Sequence, residues 1–138
     1  MVVTGTAAAG LLVGRLLFGL VFVFQGVNHF QNVDYMSGYA ESKGIPAARL
    51  LTVVSGVMLV LGGLAVAAGA YATLGAAAIA VFLLVATPLM HDFWAVPEDQ
   101  AEGEMTHFLK NLELLGAALV VLAISTVEWQ YALGVGLF

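Results

Sequence analysis

The chain has 138 residues, of which 62% are hydrophobic and only 9% charged, whereas a soluble domain is usually about a quarter charged. Its net charge of −5 argues against nucleic acid as a partner. With no cysteine, it carries no thiol–disulfide chemistry, thiolate metal site or iron–sulfur cluster of its own.

This length suits a single domain over residues 1–138, with room for four membrane spans of about 20 residues each. The N-terminus lacks the basic region and short apolar core of a cleaved signal peptide, so the first apolar stretch is expected to remain as a span. That span is predicted over residues 7–28, with Arg15 as its one charge. A polar connection follows, NVDYMSGYAESKG, in which Tyr35 and Tyr39 are i,i+4 neighbours. It predicts a short interfacial helix, capped by Asp34 and ended by Gly44. Pro46 then sits just inside the second span, 47–68, where a proline costs little. Residues 69–73 read as a tight turn, and the third span covers 74–90 with Pro88 loosening its last turn. The stretch HDFWAVPEDQAEGEM reads as the longest loop. The fourth span covers 106–124, and Trp129 and Tyr131 follow as interfacial anchors.

The second and third spans are rich in small residues, among them Gly56, Gly62, Gly63, Gly75 and Ala76. Such residues let helix backbones approach closely, which marks this hairpin as a packing device. Gly10 and Gly14 form one GxxxG in the first span, a weak signal for a homo-oligomer. Four spans put both connections on one side, and Lys43 and Arg49 lie there, which favours a cytoplasmic connection face. The chain is thus expected to be an all-α, multi-pass cell-membrane protein, a four-helix bundle with lipid as its first partner.

All three histidines fall where spans meet that connection face. His29 closes the first span, His91 the third, and His107 opens the fourth, with Gln25, Asn28, Asp92, Trp94, Lys110 and Asn111 close by in sequence. Polar groups in or near a bilayer are costly, so these are candidate site residues. On the fourth helix His107, Lys110 and Asn111 share a face, and Glu113 is placed to pair with Lys110. His91 beside Asp92 is a candidate proton-exchange point, or else part of an interfacial aromatic belt. Arg15, Phe22 and His29 fall along one stripe of the first helix. Arg15 lies about 21 Å along the axis from His29, where it can snorkel, satisfy backbone carbonyls or contact an anion. No histidine pair has the tight spacing of a metal site, His29 and His91 sit at span ends rather than mid-bilayer where a haem would lie between helices, and no metal is expected.

These residues resemble the DoxX family of small four-span membrane proteins over nearly the whole chain. The resemblance rests on GRLLFGLVFVFQGVNHF (14–30), KGIPAARLL (43–51), SGVMLVLGG (55–63), ATPLMHDFW (86–94) and THFLKNLELLG (106–116), with HDFW and FLKN the most specific. It implies a four-helix bundle associated with redox enzymes, the family being named for a subunit linked to a thiosulfate:quinone oxidoreductase. Members often carry a glutamate in the second span where this chain has Leu59, and a lysine where it has His29. The first departure puts any mechanism built on that glutamate in doubt here.

The expectation is a redox-associated subunit that binds a quinone or similar amphipath near the connection face. His29, His91, His107, Lys110 and Asn111 would donate to its carbonyls, and Asp92 would relay protons. Phe22, Phe30, Phe93, Trp94 and Phe108 would wall its ring. No electron carrier is evident, so a protein partner would supply electrons. The alternatives are a membrane scaffold or assembly protein and, against an almost wholly apolar middle of the second and third spans, a small transporter.

Overall fold

An unbroken apolar run in hydrocarbon has only its own backbone to hydrogen-bond with, so it becomes a helix. The computed structural model describes residues 1–136 and shows five helices: α1 Gly5–Gln31, α2 Val33–Ser42, α3 Ala48–Ala68, α4 Ala72–Met90 and α5 Glu98–Ile124. All but α2 are long and apolar enough to cross a bilayer. Two two-residue strands, β1 Val2–Val3 and β2 Glu128–Trp129, pair in parallel beside the terminal ends of the bundle.

Helix α3 lies between α1 and α4, α5 packs on α4, and α2 packs across α3 at the connection face. Glycine sets these approaches. A Cβ placed on Gly63 would strike the carbonyl oxygen of Gly19, and one on Gly19 would strike that of Gly63. Gly26 meets the Gly56 carbonyl and Gly62 meets that of Gly75 in the same way. The small-residue packing expected of the second and third spans therefore holds, and α1 joins it through Gly19 and Gly26. Gly10 and Gly14, by contrast, have open space before them. The core between the helices is filled by Phe22, Leu59, Ile79, Leu83 and Ala118. Leu59 is fully buried there, a wholly apolar contact.

The helix ends differ from expectation in instructive places. Helix α5 begins at Glu98, so only residues 91–97 connect it to α4. Pro97 precedes the first turn, and Glu98 and Asp99 lie within it, an arrangement that a helix N-terminus favours because its unpaired N–H groups attract negative charge. Helix α2 forms as expected and ends with Gly44 at φ 79°. There Ile45 N–H reaches the Ala40 carbonyl and Gly44 N–H that of Glu41, closing the last turn. Asp34 makes no side-chain cap and pairs with Arg49 instead, both exposed. Pro46 lies just ahead of α3, whose first turn follows Ala47 at φ 48°. Pro88 is accommodated inside α4.

The segment after α5 folds back over the terminal end of the bundle. Leu133 N–H donates to Ala68 O at 3.0 Å, Gly134 N–H to Gly69 O at 3.0 Å, and Tyr71 N–H to Val135 O at 2.6 Å. The indole N–H of Trp129 donates to Ile124 O at 2.8 Å. Trp129 is thus half-buried in this cap, while Tyr131 is exposed as an interfacial anchor would be.

Candidate functional site

At the connection face polar side chains at the end of α2 reach those at the end of α4 and the start of α5. Glu104, one turn before His107 on α5, is the hub. Its Oε1 accepts from the Tyr39 hydroxyl at 2.9 Å, and its Oε2 lies 2.8 Å from His91 Nδ1. An ionised carboxylate only accepts, so His91 carries its proton on Nδ1 and turns Nε2 away from Glu104. The His91 ring stacks on His107 with centroids 5.2 Å apart. Tyr39 also has the Met90 carbonyl within reach at 3.3 Å. Burial, reinforced by the Glu104 carboxylate, pushes the Tyr39 hydroxyl above its ordinary range, which keeps it a donor.

Beside this chain of groups, Lys43 pairs with Asp92, both largely shielded from solvent, and the Lys43 ammonium lies 5.5 Å from the Tyr39 ring centroid. The hydrogen bond with Asp92 holds Lys43 above its usual range, and the bond from Lys43 holds Asp92 below the usual carboxylate range. A depressed carboxyl stabilises the fold above its unfolded value, 3.8, and that contribution is lost as pH falls through the lower folded value. A raised ammonium stabilises below 10.5 and is lost as pH rises through its higher folded value. The connection face is therefore expected to hold its full stability between those two limits. Thermal melts in detergent across pH should show an acid decline below about pH 4 that Asp92→Asn removes. An identical acid decline in that variant would assign the effect to other carboxyls.

Three aromatic rings stand next to the cluster. Phe93, Trp94 and Phe108 touch edge to face, at 5.1, 5.3 and 5.8 Å between centroids. Trp94 is exposed, as suits a ring at the membrane boundary.

The residues singled out from sequence divide into groups. His91, His107, Asp92 and Trp94 come together as described. His29 does not join them: it is buried between helices, with Nδ1 2.9 Å from the Ser55 hydroxyl and its ring 6.0 Å from that of Phe82. Ser55 gives its own proton to the Thr52 carbonyl, so His29 Nδ1 is the donor in that pair. Phe82 lies nine residues before His91 on α4, about 13 Å along the helix. Asn28 bonds Asn32 on the exposed end of α1. Gln25 and Asn111 are half-buried, and Lys110 and Glu113 are exposed without forming an ion pair among the described residues. Phe22 is core, packed on Phe18, and Phe30 covers Gly56. Tyr39, Lys43 and Glu104 are the cluster members that sequence reading missed. A helix start placed at Pro97 would have set Glu104 one turn from His107 and exposed it as a candidate. No group of acids and histidines among the described residues is arranged to hold a metal ion.

A family model for DoxX matches residues 10–92. The chain is 27% identical over 112 residues to the inner membrane protein YphA of Escherichia coli, an alignment covering 80% of this chain and 79% of that protein. No solved structure matches. The matched family stretch includes Tyr39, Lys43, His91 and Asp92, while Glu104 and His107 lie beyond it.

Proposed function

The chain belongs to the DoxX family and is a multi-pass cell-membrane protein; from that premise we propose that it is a redox-associated subunit whose connection face binds the polar head of a quinone-like amphipath. The observation that carries this reading is the hydrogen-bonded series Tyr39–Glu104–His91 at the membrane boundary, flanked by the Phe93–Trp94–Phe108 rings. A quinone needs a hydrogen-bond donor at each carbonyl and a proton source when reduced. His91, with Nδ1–H held by Glu104, presents an unprotonated Nε2 that accepts the hydroxyl proton of a reduced quinol and donates to a quinone carbonyl only as the imidazolium, and His107 adds a second imidazole against it. The aromatic rings offer flat apolar faces for a ring system. Electrons come from a protein partner in this reading, since no residue here carries them.

Native mass spectrometry of the gently purified protein, with identification of extracted small molecules, tests this. The expected result is a retained quinone-like amphipath near one per chain that is lost from His91→Ala. Retention of bulk lipid alone, or of a protein partner with no small molecule, would replace this reading with the scaffold role.

A further inference from the structure

The terminal end of the bundle holds a buried cation that the connection-face reading does not use. Arg15 is 2% exposed. Side chains on a helix lean toward its N-terminus, so the guanidinium points from α1 toward the terminal face. There it donates through Nη2 to the Tyr131 carbonyl, the one hydrogen bond it makes among the described residues, and lies over the Trp129 ring, 5.6 Å from the centroid. Among the described residues Nε and Nη1 are buried with no partner and no carboxylate pairs with the guanidinium. Arginine does not escape this by deprotonating. A neutral carbonyl and an aromatic face leave its charge uncompensated, in surroundings where an unpaired ion is costly.

A cleft lies next to the buried guanidinium, separated from it by Gly69 and Trp129, and Arg15 is not itself one of the cleft's walls. Gly69 is buried against the guanidinium, and a Cβ there would lie 3.2 Å from Nη1. Gly69 and Trp129 also line a cleft of about 290 Å³ whose other walls include Thr73, Ser125 and Ala132. Tyr71, Trp129 and Tyr131 place this cleft at the aromatic belt of a bilayer, the level of lipid headgroups.

We propose that Arg15 forms an oxyanion site at the terminal face, specific for a phosphate group, which it holds through its unpartnered N–H groups with Trp129 as the wall. The phosphate is that of a lipid headgroup or a free phosphate ion; the chemistry at Arg15 is the same. Arginine suits it because a phosphate oxygen accepts charge-assisted hydrogen bonds that the neutral Tyr131 carbonyl cannot match.

Trp129 emission reports the site, with Trp94→Phe removing the other indole. The protein would be reconstituted in phosphatidylcholine vesicles and titrated with inorganic phosphate against chloride at fixed ionic strength. It would then be compared in vesicles containing phosphatidylglycerol. A saturable change with inorganic phosphate supports the site with a free ion as occupant. A change seen only with phosphatidylglycerol supports it with a headgroup as occupant. In either case Arg15→Lys should weaken the response and Arg15→Gln reduce affinity by roughly 10- to 100-fold, the loss of one charged hydrogen-bonding group. No response to either anion in the folded Trp94→Phe protein, a measurement independent of the Arg15 variants, would overturn the proposal. So would a response that persists undiminished in Arg15→Gln.

Discussion

Gly63→Val is expected to separate α1 from α3 and leave little folded protein. At this point the two backbones are in contact: a Cβ on Gly63 meets the Gly19 carbonyl oxygen, the Val23 side chain at 2.9 Å and the Val23 backbone nitrogen at 3.0 Å. A crowded side chain can rotate away, but a carbonyl and an amide nitrogen move only if the helix moves. Overpacking typically costs 1–3 kcal/mol, and a clash with backbone belongs at or above the top of that range, about 3 kcal/mol. Nothing offsets it, because lipid is as apolar as the interface and the helices associate through close packing. For a domain of this size that is a fall in melting temperature of about 10 °C or more. Circular dichroism melts and gel filtration in detergent would show it. Gly10→Val is the matched control, since open space lies before Gly10; its effect should stay within about 0.5 kcal/mol. A Gly63→Val protein that melts with the wild type would mean that this contact does not hold the bundle.

The same contrast between what is local and what is not explains which features were legible in the chain. The four spans were visible because long apolar runs leave few alternatives to helix. Helix α2 was visible because Tyr35 and Tyr39 mark one face and Gly44 supplies the residue that its closing turn requires. The start of α5 was misplaced for a physical reason. The acids Glu98, Asp99, Glu102 and Glu104 read as solvated loop, yet two of them occupy a first turn where negative charge stabilises a helix. Shortening the connection to residues 91–97 brings His91 onto Glu104 and His107, a proximity that spacing along the chain did not reveal. His29 shares the stripe and the face predicted for it but points into the α1–α3 contact, where Ser55 and Thr52 satisfy it. Which side of a helix meets a neighbour is decided by packing, here by Gly26 and Gly56. Arg15 had several readings from sequence; the burial of its head beneath the segment after α5 excludes snorkelling to lipid. That cap depends on strand pairing and turns too short to show in composition.

Glu104→Leu is expected to dismantle the connection-face cluster while leaving the spans intact. Glu104 is the single acceptor that joins the Tyr39 hydroxyl to His91 Nδ1. Its removal leaves one donor with only the longer bond to Met90 O and the other with none. An unsatisfied buried donor costs about 1–3 kcal/mol; with both sites partly solvated, the sum should be about 3 kcal/mol. Glu104→Gln separates geometry from charge. A glutamine can present one carbonyl and one amide group, so it can accept from Tyr39 or from His91, not from both through separate oxygens. With Tyr39 keeping the carbonyl, the amide faces Nδ1, and His91 must move its proton to Nε2. Nitrogen NMR of the labelled imidazole should therefore show Nδ1–H in the wild type and Nε2–H in Glu104→Gln. Tyr39→Phe combined with Glu104→Gln should show a coupling of roughly 1 kcal/mol, as expected for groups sharing one network. Unchanged tautomer and additive stabilities would mean that Glu104 does not organise the cluster. If the tautomer shifts while helicity is retained, His91 has been re-addressed without unfolding, and its Nε2 then donates where that of the wild type accepts.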